Sequence, residues 1–152
     1  MNLDTKTLAT RIEEWAAEVT SFNSEAHQPT ILSEALPLVI CEIKGDNRAN
    51  RSVQLPKISG YEQAFVRTRT AELLLMSHPE PSWTASQALY DAVDLLADDL
   101  IRRPQLGVPA RVHIASPLYD ASYDPPEIQH QDGTVARVAR FRMYVGELIK
   151  EV

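Results

Sequence analysis

Cysteine is nearly absent. Cys41 stands alone among 152 residues, so no intrachain disulfide can form, and its place inside an apolar run reads as a buried, inert thiol. A reducing cytosol is the expected setting. Glycine is scarce too, with five residues at positions 45, 60, 107, 133 and 146, none close together. Phosphate-binding loops need clustered glycines so that backbone amides can approach the anion, so nucleotide binding is disfavoured and no cofactor is expected. No unbroken apolar run exceeds four residues, as in Leu38–Cys41, against roughly 20 for a helix that crosses a bilayer. The first residues lack the uncharged apolar stretch of a secretory peptide, because Glu13 and Glu14 fall where it would lie, so export by that route is not expected.

Metal and catalytic signatures are equally thin. His27, His78, His113 and His130 are scattered with no pair at i, i+4, and one cysteine cannot supply a structural zinc set. The stretch holding Asp120, Asp124, Glu127, His130 and Asp132 is rich in oxygen ligands, but its spacing matches no calcium loop. No metal is expected there. No nucleophile, base and orienting group stand in a recognisable arrangement, so no catalytic residue is assigned and a non-enzymatic role is expected.

What is present is an ordinary globular composition, 44% hydrophobic and 24% charged, in a length that suits a single domain spanning 1–152. Fifteen basic against 21 acidic side chains leave a net charge of −6, which disfavours general attraction to nucleic-acid phosphates. That total hides a segregation. Residues 1–46 hold 3 basic and 8 acidic side chains, 47–71 hold 5 and 1, 72–132 hold 3 and 10, and 133–152 hold 4 and 2. Eleven of the fifteen cations are arginine, the residue that makes bidentate, partly desolvated pairs at interfaces.

The apolar pattern defines the elements. Leu8, Ile12, Trp15, Ala16 and Val19 lie on one helical stripe. Leu38–Ile43 is short, apolar and β-branched, as in a buried strand. Residues 45–60 are polar and aperiodic, which suggests a long loop or a protruding hairpin. Residues 64–76 alternate over a long strand. After Pro79 and Pro81, Thr84 and Gln87 have capping-box spacing, and Ala85, Ala88, Leu89, Ala92, Val93, Leu96 and Leu100 form the apolar stripe of a second helix that Arg102, Arg103 and Pro104 close. Arg111–Ala115 reads as a short strand. An irregular, proline-containing excursion over 116–131 follows, then the Asp132-Gly133 turn and a return strand over 134–148. The order describes an α+β domain: a mainly antiparallel sheet, two amphipathic helices packed on one face, and a long strand-connecting loop.

Two arginine doublets stand out. Arg67 with Arg69, and Arg140 with Arg142, each repeat at strand spacing, so both members of a doublet share a face. If the two strands belong to one sheet, four guanidinium groups are expected on one face, where carboxylates from another subunit or from the 114–132 loop would meet them. With Arg48 and Arg51 from the basic block, these six arginines are the candidate interface residues.

The segments FVRTRTAELLLM (65–76), ASQALYDAVDLLADDL (85–100) and DGTVARVARFRMYVG (132–146), in this order of elements, resemble the small tail terminator or tail-completion proteins of long-tailed bacteriophages. The resemblance implies a homo-oligomer, a hexameric ring that caps the tail tube and joins it to the head-side connector. Its partners would be the tail tube protein and the connector protein, with DNA passing through the lumen without sequence-specific binding. The protein would be assembled in the host cytoplasm and would reside in the neck of the virion. The other reading is a small cytosolic α+β enzyme or ligand-binding module whose site leaves no trace in the sequence.

Overall fold

A computed structural model describes residues 4–24, 36–50, 64–78, 82–106, 113–123, 128–129 and 135–150. The elements in chain order are α1 (Thr5–Thr20), β1 (Asn23–Ser24), β2 (Leu38–Asn50), β3 (Ala64–Ser77), α2 (Ser82–Arg102), β4 (His113–Tyr123), β5 (Ile128–Gln129) and β6 (Val135–Lys150). The six strands form a sheet of order β1-β2-β3-β6-β4, with β5 also paired to β6. Every pairing is antiparallel except β1 with β2. The fold is α+β, as the pattern predicts, with both helices on one face.

Local chemistry sets the helix ends. Asp4 caps α1 by accepting a hydrogen bond from the Thr7 N–H at 2.7 Å. That backbone hydrogen bond holds the Asp4 carboxyl below its ordinary value. Ser21 stops the helix in the left-handed conformation, at φ 63°. Helix α2 starts at Ser82, so Thr84 lies inside its first turn and does not cap it as its spacing with Gln87 suggests.

The helices and sheet enclose one main core. Leu8, Ile12, Trp15 and Ala16 of α1 and Leu89, Val93, Leu96 and Leu100 of α2 pack on Val39, Leu73, Leu75, Phe141 and Met143. Trp15 donates its indole N–H to Asp99 at 2.7 Å, and Arg103 donates to the same carboxylate at 3.0 Å, so the helices are also joined by polar bonds. A smaller cluster of Leu36, Leu38, Met76, Ala136 and Val138 lies on the opposite face.

Two strands are longer than their apolar patterns indicate. β2 continues as an antiparallel ladder with β3 to Asn50, so over 45–50 the hairpin alternative holds and the loop does not; residues 51–60 lie outside the described residues. The cause is a bulge at Lys44. Ile43 pairs with Ala71 and Gly45 with Thr70, so the inside-outside parity reverses. Beyond it the strand carries polar residues on both faces, and alternation of apolar residues no longer marks it. A Cβ on Gly45 would lie 3.3 Å from the Thr70 hydroxyl oxygen, a tight contact that the Thr70 side chain would have to relieve.

β4 likewise runs through the segment expected to be irregular, because the register shift between Ala115 and Tyr119 places Pro117 in a bulge. A proline there removes no ladder hydrogen bond. Asp124, Glu127, His130, Asp132 and the Asp132-Gly133 turn lie outside the described residues.

Candidate subunit interface

The two arginine doublets do not share a face. In the ladder Arg69 faces Val145, Ala71 faces Met143 and Leu73 faces Phe141, so Arg67 and Arg69 project to the helix side. Arg140 pairs with Leu74 and Arg142 with Glu72, which turns them to the other side. The expectation of four guanidinium groups on one face is therefore corrected. Each doublet alternates as foreseen, but the offset between the strands puts them in antiphase.

On the helix side, Arg67 grips Asp46 with two bonds, Nε to Oδ1 at 2.8 Å and a terminal nitrogen to Oδ2 at 2.5 Å, and reaches the Thr5 hydroxyl at 3.3 Å. The Arg67 hydrogen bond holds the Asp46 carboxyl below its usual range. Arg69 is fully buried and pairs with the equally buried Glu147 at 2.5 Å. Burial is the main influence lowering its pKa, with the Arg67 charge adding to it. Arg69 is thus inside the subunit, out of a neighbour's reach, which corrects its assignment to an interface. Arg48, on the same strand as Asp46, is exposed; Arg51 lies outside the described residues.

On the helix-free side Glu72 receives Arg140 at 3.0 Å and Arg142 at 3.2 Å. Burial alone would raise the Glu72 carboxyl, but the Arg142 and Arg140 hydrogen bonds outweigh it and the pKa is lowered. Across the same row Glu42 lies beside Glu72, and Asp120 pairs with Arg142 in register. A cleft of about 100 Å³ opens among Ile40, Glu42, Glu72, Leu74 and Arg140. Among the described residues, no group of three or more His, Cys, Asp or Glu side chains could hold a metal ion.

A second surface was not foreseen. The outward face of α2 exposes Trp83, Tyr90, Leu95 and Ile101 around Asp91, Asp94 and Asp98. Tyr90 meets Tyr123 of β4 edge-to-face, ring centroids 5.0 Å apart. Tyr123 is raised above the ordinary phenol value by burial first and by Asp94 second. Tyr119 stacks on Phe141 at 4.9 Å, and Leu118 projects from the bulge. The signal for this surface was available: Trp83, Tyr90, Leu95 and Ile101 all fall off the buried stripe of the second helix.

A scan against protein-family models finds no match to this chain, and a search of curated proteins finds none. Among the described residues no helix is long and apolar enough to cross a membrane.

Proposed function

We propose that this chain is the structural subunit of a homo-oligomeric ring, of the kind that terminates the tail tube of a long-tailed bacteriophage and joins it to the head-side connector. The observation that carries the reading is the separation of two unlike surfaces. An acidic, aromatic surface, formed by α2 and β4, lies at the β4 edge of the sheet. On β2, toward the other edge, Arg48 is exposed two residues from Asp46, while Arg51 and Lys57 of the same basic block lie outside the described residues. Head-to-tail contacts need two different, complementary patches, and patches on opposite sides of a subunit generate rings when the rotation closes. The element order adds the resemblance to tail terminators, which implies six subunits, the tube and connector proteins as partners, and passage of DNA through the lumen.

Enzymes and ligand-binding modules commonly use concavities of about 300 Å³ or more with converging polar groups. The cleft beside Glu72 measures about 100 Å³, and its charged groups are already paired, Glu72 with Arg140 and Arg142 and Glu42 with Lys44. A larger concavity of about 490 Å³ along the first half of α1 is lined by Asp4, Lys6, Arg11 and Glu14 together with two threonines, and offers no nucleophile paired to a base. Neither favours the enzyme reading.

Negative-stain electron microscopy of the purified protein tests the proposal. Annular particles with an open centre are the expected result. Compact particles of subunit size, or open filaments, would contradict a closed ring.

A further inference from the structure

We infer that the α2–β4 surface of one subunit receives the outer edge of β2 from the next, with Arg48 entering the row of Asp91, Asp94 and Asp98. This inference rests on the ring reading and specifies its contact. Asp91, Asp94 and Asp98 are exposed and form no ion pair among the described residues. They lie between Tyr90 and Ile101 on one flank and Leu95 on the other, and Tyr90 is braced by Tyr123. Aromatic anchors that partly desolvate neighbouring charges are the composition of interface hot spots, and arginine is the cation enriched opposite them.

The occupant follows from charge. A second copy presenting the same α2 face would set three aspartates against three aspartates, and like charges brought together at an interface cost several kcal/mol. An isologous contact is therefore disfavoured, and nucleic acid is repelled for the same reason. The occupant must be basic, and residues 47–71 of this same chain hold 5 basic side chains against 1 acidic. Within that block Arg67 is committed to Asp46 and Arg69 to Glu147. Arg48 is exposed and makes no ion pair among the described residues, although its charge acts on Asp46, the carboxylate that Arg67 holds.

Among the described residues, the outer side of β2 is also open in backbone terms beyond Cys41. β1 covers only Leu38 and Val39, and Glu13 accepts the Cys41 N–H at 2.9 Å. Beyond Cys41, no described strand lies on that side. Arg48 is thus carried on an edge strand, placed to approach a neighbour directly.

The test compares the wild type, Asp94→Lys/Asp98→Lys, Arg48→Asp and the combined triple variant by sedimentation velocity over a concentration series. Thermal unfolding serves as the control for folding. Both partial variants are expected to unfold as the wild type does, and to need at least tenfold higher concentration to assemble. The triple variant is expected to recover most of that loss. If the lysine variant fails to fold, Asp94→Asn/Asp98→Asn, which removes charge at nearly constant size, takes its place: it is expected to weaken assembly alone, and adding Arg48→Asp to it is expected to weaken assembly no further, whereas additive losses would overturn the pairing. If the wild type and all variants assemble alike, the contact is elsewhere and the inference is overturned while the ring reading stands. Loss of assembly without recovery in the triple variant overturns the pairing with Arg48. A wild type that never assembles overturns both.

Discussion

Replacing Arg69 by Met would leave the Glu147 carboxylate buried without the guanidinium that faces it across β3 and β6. Both side chains are 0% exposed, and their contact is 2.5 Å. At about 4 Å between charge centres and an effective dielectric of about 20, the attraction is roughly 4 kcal/mol. Taking the two ions out of water costs several kcal/mol each. The pair as a whole therefore adds little to stability, while either partner alone is a liability. Arg69→Met is expected to destabilise the subunit by about 3–5 kcal/mol, a large share of the roughly 5–15 kcal/mol that holds a domain together. Glu147→Leu should cost about as much, and the Arg69→Met/Glu147→Leu double variant far less than the sum. Urea unfolding of all four proteins at pH 7 gives the three differences and hence the coupling energy. A single-variant cost under about 1 kcal/mol, or additive losses in the double variant, would refute the view that these two groups are coupled inside the subunit.

Three other outcomes follow from the geometry. Glu72 is held below its ordinary value by the Arg142 and Arg140 bonds, so its contribution is present above about pH 4.5 and lost as pH falls through the lower native value. The unfolding midpoints of the wild type and Glu72→Gln should accordingly converge in acid, and a gap that stays constant down to pH 2 would contradict this. Ser21→Gly relieves a left-handed residue at φ 63° on an exposed site and should stabilise by about 0.5–1 kcal/mol, raising the thermal midpoint by about 1–4 °C; a lowered midpoint would show that the hydroxyl carries the turn. Burial, followed by the Glu13 charge, pushes the Cys41 thiol up to about 12, so Cys41 should resist an aromatic disulfide reagent at pH 8 until the protein is unfolded. Rapid labelling of the native protein would contradict it.

Both helices and the two longest strands were legible because each buries one face, and burial writes a period of 3.6 or 2 into the residues. Leu8, Ile12 and Trp15, or Leu73 and Leu75, could hardly be read otherwise. The far half of β2 was legible only as an open choice between loop and hairpin, because beyond the bulge at Lys44 the ladder is held by backbone hydrogen bonds and by ionic pairs such as Arg67 with Asp46, which leave no apolar alternation. Pro117 read as a break because its bulge depends on pairing with β6, a partner distant in sequence. The arginine doublets show a third limit. Alternation fixes which residues of one strand share a face, but only the register between β3 and β6 decides whether two strands agree, and here it sets them in antiphase. The unpartnered aromatic residues of α2 were visible as departures from its stripe, yet their meeting with Tyr123 needed the tertiary fold.

The central claim is that unlike surfaces at opposite edges of the sheet join copies of this chain into a closed ring. Native mass spectrometry across a concentration series measures this most directly. The account predicts one dominant species at six times the 17.0 kDa subunit mass, reached without a ladder of larger assemblies. A subunit mass that persists at every concentration, or a dimer that is never exceeded, would contradict it.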